Sequence, residues 1–259
     1  FRRVLFRSAG SAAICYTMGI TQFSDGTSNV FSLSNLAILT GNLGKKGAGV
    51  NPLRGQNNVQ GSCDMGALPN VIPAGAVNSA YAQEQARKVW HFELNPVPGF
   101  KLTYAPDKMD SGELKVLYVY GENPVMSDPW TEHFVHATHH LDCFIVQDLF
   151  FTESAQKADV VLPAAGWGEK DGTFINTSRR VQRTRKASEP VGGVEPDWKV
   201  VCNIAKAMGL EGFDFLSAEE VWDELRKLMP KFFGGISYYR LEKLGGISWP
   251  CPDEDHPGT

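Results

Sequence analysis

Residues 49–61 read Gly-Val-Asn-Pro-Leu-Arg-Gly-Gln-Asn-Asn-Val-Gln-Gly, with five primary amides, three glycines and one cation, Arg54. Side-chain amides compete with the backbone for hydrogen bonds, so this density suits neither a helix interior nor an apolar core. The glycines and Pro52 make the stretch a shaped loop. No Asp or Glu occurs from Gly26 to Cys63, while Lys45, Lys46 and Arg54 are present. A guanidinium stays protonated and offers a planar fork that suits a carboxylate. The loop therefore reads either as a presenter of Arg54 to a small anion, its amides holding a polar cofactor, or as a glycine-rich connector whose amides satisfy one another.

Other chemistry-bearing residues lie downstream. Asn123, Gln147 and Asp148 follow runs that read as strands, and Asp148 can accept hydrogen bonds from a base edge or a ribose. A turn acid is the plainer reading of Asp148. Lys170 sits between Glu169 and Asp171, which suggests either a surface ion pair or a contact to phosphate or pterin. Asp197 reads as a helix cap. His133, His136, His139 and His140 bring imidazoles near one helix face, but no local carboxylate or cysteine set completes a metal site, so none is expected. The basic run Arg179 to Lys186 has no interleaved aromatics, and internal carboxylates or solvent are its expected partners.

The elements that must hold these residues follow an α/β pattern. Ala12 to Tyr16 reads as a buried strand. Val30, Leu33, Leu36, Ala37 and Leu39 give helical spacing, with Asp25 or Ser28 as cap and Gly41 as stop. Residues 67–110 are rich in Pro, Gly, Asn and Ala and read as a long excursion with a short helix at Ala82 to Trp90. Strands are expected at Leu114 to Tyr120, Cys143 to Val146 and Asp159 to Pro163. Between them lie a helix opened by Asp128 and another at Thr152 to Ala158. That alternation implies a parallel sheet, with ligands beyond the carboxyl ends of its strands. Helices should also run from Asp197 to Gly209 and from Ala218 to Met229, whose apolar face carries Val221, Trp222, Leu225 and Leu228. The tail from Phe232 has no assigned element.

The 259 residues are 42% hydrophobic with a formal charge of −4, enough for a sizeable core and too balanced for a nucleic-acid binder. No apolar run is long enough to span a bilayer. Cys15, Cys63, Cys143, Cys202 and Cys251 are scattered without a CxxC pair, which argues against a disulfide framework or a cysteine metal site in the chain. A cytoplasmic location is the lean. Residues 1–8 read as a short non-native addition, and the ends together read as those of an internal fragment.

The run from Gly49 to Gly66, ending Gln60-Gly61-Ser62-Cys63-Asp64-Met65-Gly66, resembles the signature of formate dehydrogenase catalytic subunits, in the molybdopterin oxidoreductase superfamily. Ala158 to Pro163, Glu169 to Phe174 and Arg179 to Gln182 resemble the superfamily's second cofactor-binding segment, shared with nitrate reductases. The resemblance implies parallel-sheet, Rossmann-like dinucleotide-binding segments, incomplete at both ends. Residues 9–60 would end one cofactor-binding domain, 61–110 form the excursion, and 111–259 form a second segment with trailing helices. It implies oxidation of formate to carbon dioxide at molybdenum or tungsten held by two molybdopterin guanine dinucleotides, with an iron–sulfur cluster in a missing amino-terminal part and electron-transfer subunits as partners. Arg54 matches the arginine that holds formate, and Gln56 its amide neighbour. Met18, Gln22, Asn123, Gln147, Asp148, Lys170 and Asp197 match dinucleotide contacts. Ser178 departs from the pattern, standing where an acid often precedes the paired arginines. The metal-ligating Cys or selenocysteine, the cluster cysteines and the final cofactor domain would lie outside the chain. The alternatives are a non-catalytic nucleotide-binding module and a relative acting on another oxyanion such as nitrate.

Overall fold

The computed structural model describes residues 8–259, so the reading of residues 1–8 as an addition lies almost wholly outside the described residues. Strand β1 (Ala13–Tyr16) leads through short helix Met18–Thr21 and helix Gly26–Leu39 into β2 (Gly49–Pro52). The two strands pair in parallel, with Ala13 opposite Gly49 and Tyr16 opposite Pro52. Buried Asn42, just past the helix, accepts a 2.8 Å hydrogen bond from the Ala12 amide and fixes the start of β1. The helix stops where expected, at a left-handed Gly41. It begins earlier than its apolar spacing suggests, and Asp25 holds the cap position without a side-chain bond.

The excursion carries a hairpin, β3 (Val71–Ile72) against β4 (Gly75–Ala76), then helices Ala80–Trp90 and Ala105–Asp110. Ser79 caps the first of these by accepting from the Ala82 amide. The expected parallel sheet follows as β5 (Val116–Tyr120), β6 (Cys143–Asp148) and β7 (Val160–Pro163), in that spatial order. Val119, Phe144, Val146 and Ala155 form its core. Asp128 does not open the following helix. It ends the short helix Pro124–Ser127 and accepts from the Trp130 amide, and the next helix is Thr131–Thr138. Only a 3-10 turn, Ala155–Lys157, forms within the helix expected from Thr152 to Ala158.

A second sheet is antiparallel. Strands β8 (Gly172–Ile175) and β9 (Arg180–Thr184) pair directly, and β10 (Ile247–Ser248) adds to β9. Helix Ala218–Leu228 presents the predicted face, with Trp222 and Leu228 buried. The unassigned tail supplies helices Pro230–Phe233 and Tyr238–Leu244 as well as β10. Its Phe233, Ile236, Tyr238, Leu241, Ile247 and Cys251 join Ile175, Val181 and Trp222 in one apolar core. No helix among the described residues is long and apolar enough to cross a membrane.

Candidate cofactor and anion site

Several chemistry-bearing residues lie beyond the carboxyl ends of parallel strands, in two separate sheets. Because β1 and β2 run the same way, Met18 and Arg54 each lie two residues beyond a strand on one shared edge. The Leu53 amide donates to the Tyr16 carbonyl at 2.7 Å and locks the two exits together. Met18, Gln22, Arg54 and Gln56 are all exposed. Among the described residues Arg54 has no ion pair or hydrogen bond, so its fork is open to an anion.

The amides of this loop do not satisfy one another. Asn58, in a left-handed conformation, accepts a 2.9 Å bond from the Ile175 amide on β8. Gly61 is required beneath it, since a Cβ there would stand 2.0 Å from the Asn58 Oδ1. Gln60 donates to Asp64 at 2.8 Å, and the Trp249 indole donates to the other Asp64 oxygen at 2.9 Å. Burial pushes the Asp64 carboxyl above its ordinary value, opposed by those two bonds and by the charges of Arg54 and Arg179. Arg179 stacks on Trp249 at 4.9 Å. Arg54 therefore does have an acid in its field, one that begins just past the acid-free stretch.

At the second sheet edge, Gln147, Lys170 and Asp197 form one polar chain. Gln147 is fully buried on β6, accepts from the Tyr118 hydroxyl and donates to Asp197 Oδ1 at 2.9 Å. Lys170 pairs with the other Asp197 oxygen and donates to the Ala165 carbonyl at 3.0 Å. Burial pushes the Lys170 ammonium below its ordinary value, and the Glu169 charge pulls it back. Both plain readings of these residues are corrected. Lys170 pairs with neither sequence neighbour, because Glu169 accepts from the Gly166 amide and Asp171 from the Lys186 amide. Asp197 is the first residue of helix Asp197–Ala207 and does not cap it.

Asn123 and Asp148 shape the loops beside this chain. Asn123 accepts from both the amide and hydroxyl of Ser154 and donates to Glu153. Asp148 accepts from the Phe150 amide at 3.1 Å with one oxygen, and its other oxygen has no partner among the described residues. Gly121, with φ +64°, turns the chain out of β5, and the position a Cβ would take there is open space. Leu149, Phe150 and Phe151 stand exposed next to Asp148. A cleft of about 530 Å³ opens beside Lys170, lined by Arg183, Lys186 and Lys199 and, in equal measure, by Asp171, Glu189 and Glu195. The departure at Ser178 is absorbed locally, since its amide and hydroxyl both donate to Asn176. The basic run finds the expected internal carboxylates: Arg183 meets Asp171 and Glu242, and Arg185 meets Glu242.

Sequence reasoning missed Tyr118, Asp64, Trp249 and Asp110. Strand alternation places Tyr118 and Tyr120 on one face, a signal that could have found the first. Asp110 meets His133 at 2.7 Å and His140 at 2.9 Å. The carboxylate absent from the histidine stretch thus arrives from 23 to 30 residues upstream.

Parallel strands with polar side chains at their carboxyl ends define an α/β cofactor-binding protein. The family model for molybdopterin oxidoreductase matches residues 6–207, and the chain belongs to that family. It is 49% identical to the F420-dependent formate dehydrogenase subunit alpha of Methanocaldococcus jannaschii, over 98% of this chain and 37% of that protein. It is 50% identical to the F420-dependent formate dehydrogenase 1 subunit alpha of Methanococcus maripaludis, with the same shares. Formate dehydrogenase H of Escherichia coli is 43% identical over 96% of this chain and 35% of its own length. The chain thus spans little more than a third of these relatives. Acetylene hydratase from Pelobacter acetylenicus has the same fold, with a TM-score of 0.67 over 97% of this chain and 37% of that one, at 15% identity.

Proposed function

We propose that this chain is the substrate-arginine and cofactor-cradling part of a formate dehydrogenase catalytic subunit. The observation that carries the reading is the unpaired Arg54 fork at the carboxyl edge of a parallel strand pair, in a chain half identical to formate dehydrogenase alpha subunits. Formate is a planar carboxylate, and a guanidinium can hold both of its oxygens. Fixing those oxygens aims the C–H bond, and orientation is the main service a protein gives when a cofactor carries the chemistry. Gln56, beside Arg54 on the same exposed loop, adds a neutral donor.

The residues present suit a molybdopterin guanine dinucleotide. Asp148 has a free carboxylate oxygen for a guanine edge, and its exposed Leu149, Phe150 and Phe151 offer an apolar cover for a base. Gly121 leaves the backbone open to close approach, and Met18, Gln22 and Asn123 line the strand exits. Lys170 supplies positive charge, held in place by Asp197 and Gln147. When bound, the molybdenum or tungsten centre would take up the two electrons of formate oxidation. Electron-transfer subunits and an iron–sulfur relay belong to the same reading. The five free cysteines suit a reducing cytoplasm.

The test is Arg54→Ala in the full-length enzyme. Loss of a charge-assisted pair worth about 1.5–3 kcal/mol should lower kcat/KM for formate by about 10- to 100-fold. The Michaelis constant should rise and turnover should fall, while metal and pterin content stay near wild type. Unchanged formate kinetics would remove Arg54 from the site.

A further inference from the structure

We propose that Asp110, His136 and His140 form a surface site for a divalent transition-metal ion of the zinc class, with His133 positioning the Asp110 carboxylate. The site is distinct from the strand-end edges described above. It is built by the packing of helix Ala105–Asp110 against helix Thr131–Thr138, whose buried Ala105, Met109, Phe134 and Ala137 share one apolar cluster. Burial of Phe134 and Ala137 turns His133, His136 and His140 toward the rim of that contact. On the partner helix, Met109 goes inward and Asp110 comes out beside them.

The donor geometry suits an ion. One ligand atom each from Asp110, His136 and His140 lie within 4.8 Å of one another, and all three residues are exposed. His136 and His140 are four residues apart, the spacing that puts two imidazoles on one metal. Their rings meet edge to face at 5.4 Å. Past Thr138 the chain closes a tighter turn, with the His140 amide donating to the Ala137 carbonyl three residues back, and the turn keeps His140 beside His136. Two imidazoles and one carboxylate, with a position left for water, form an open zinc-type set. Imidazole ligands favour zinc, nickel or copper over magnesium and calcium. His133 is three-quarters covered or more, its side chain 17% exposed, and its Nε2 lies 2.7 Å from Asp110 Oδ2. That contact leaves Oδ1 directed at His140 Nδ1, 2.9 Å away. A ligating carboxylate held by its own hydrogen bond is the arrangement metal sites use.

The full-length subunit, stripped with chelator and dialysed against Zn²⁺, is analysed by mass spectrometry for zinc per chain, read separately from molybdenum, tungsten and iron. Wild type should hold one zinc more than the double variant His136→Ala/His140→Ala. Asp110→Asn should weaken zinc binding at least tenfold, and His133→Gln by about tenfold. Excess Mg²⁺ should displace none of it. Thermal melting in chelator should be unchanged in every variant, which separates ligand loss from unfolding. Equal zinc in wild type and the double variant overturns the site. Wild-type affinity in Asp110→Asn overturns the three-residue set, as does competition by Mg²⁺.

Discussion

Arg54 and Lys170 are both cations at strand ends, and the fold treats them differently. Arg54 is left without a partner, whereas Lys170 is half-buried against Asp197. If Arg54 holds a planar carboxylate as proposed, charge alone should not suffice. Arg54→Lys should keep the positive charge yet fall between wild type and Arg54→Ala in formate kcat/KM, because a point charge cannot hold two oxygens in one plane. Lys170 carries a stability cost instead. Asp197→Ala strips the acceptor from both Gln147 and Lys170 inside the fold, and should cost about 1–3 kcal/mol. Asp197→Asn keeps an oxygen for Gln147 and should cost less. Urea midpoints of the full-length protein check both. The residue types at these positions were readable in sequence, and so was the placing of Gln147 at a strand end. Their partners were not. Gln147 and Asp197 are fifty residues apart, and the tertiary fold brings them within one hydrogen bond. Local sequence therefore suggested a cap for Asp197 and a surface pair for Lys170.

At the scale of elements, the Arg54 loop is held from both sides. Strand pairing with β1 fixes its entry, and Asn58 and Asp64 fix its exit to β8 and to Trp249 in the tail. Asp64 makes this staple sensitive to pH. Its folded-state carboxyl is raised by burial, so across the acid range the folded state retains a proton that the unfolded chain has released. Its contribution to stability is full below the ordinary carboxylate value and is lost as pH rises through the raised folded value. Asp64→Asn keeps an oxygen for the Trp249 indole and removes the titration. The difference in urea midpoint should therefore move in favour of the variant as pH rises through that window. A pH-independent difference would mean that Asp64 is not strained by burial. Trp249→Phe should cost about 1 kcal/mol through the lost hydrogen bond. The strands β1, β5, β6 and β7 were legible as short apolar runs between turn signals, although only β6 is largely buried and β1, expected to be buried, alternates exposed and half-covered side chains. The tail was not, because two short helices and a two-residue strand carry no period of their own. They are defined by the core they share with Trp222 and Val181.

Across the whole molecule, several large apolar side chains of the described residues stand exposed. Phe31, Ile38 and Leu39 on helix Gly26–Leu39 are 63%, 57% and 84% exposed. Val116, Tyr118, Tyr120, Val160 and Val161 are exposed on the parallel sheet, and Phe150 and Phe151 at its mouth. Scattered apolar residues on a surface are ordinary, but several on one helix and one small sheet suit faces that bind something. The relatives this chain matches are nearly three times its span, and a polypeptide of that length would carry further chain able to cover those faces. The 259 residues expressed alone should therefore self-associate and bind the dye ANS, even with the internal cores formed. In the full-length subunit, amides of residues 26–39 and 116–120 should exchange slowly, and dye binding should fall. Light scattering and hydrogen exchange on the two proteins decide it. A monodisperse, dye-silent monomer from the short chain would show that helix 26–39 and the outer sheet face are stable in water, with no further cover required.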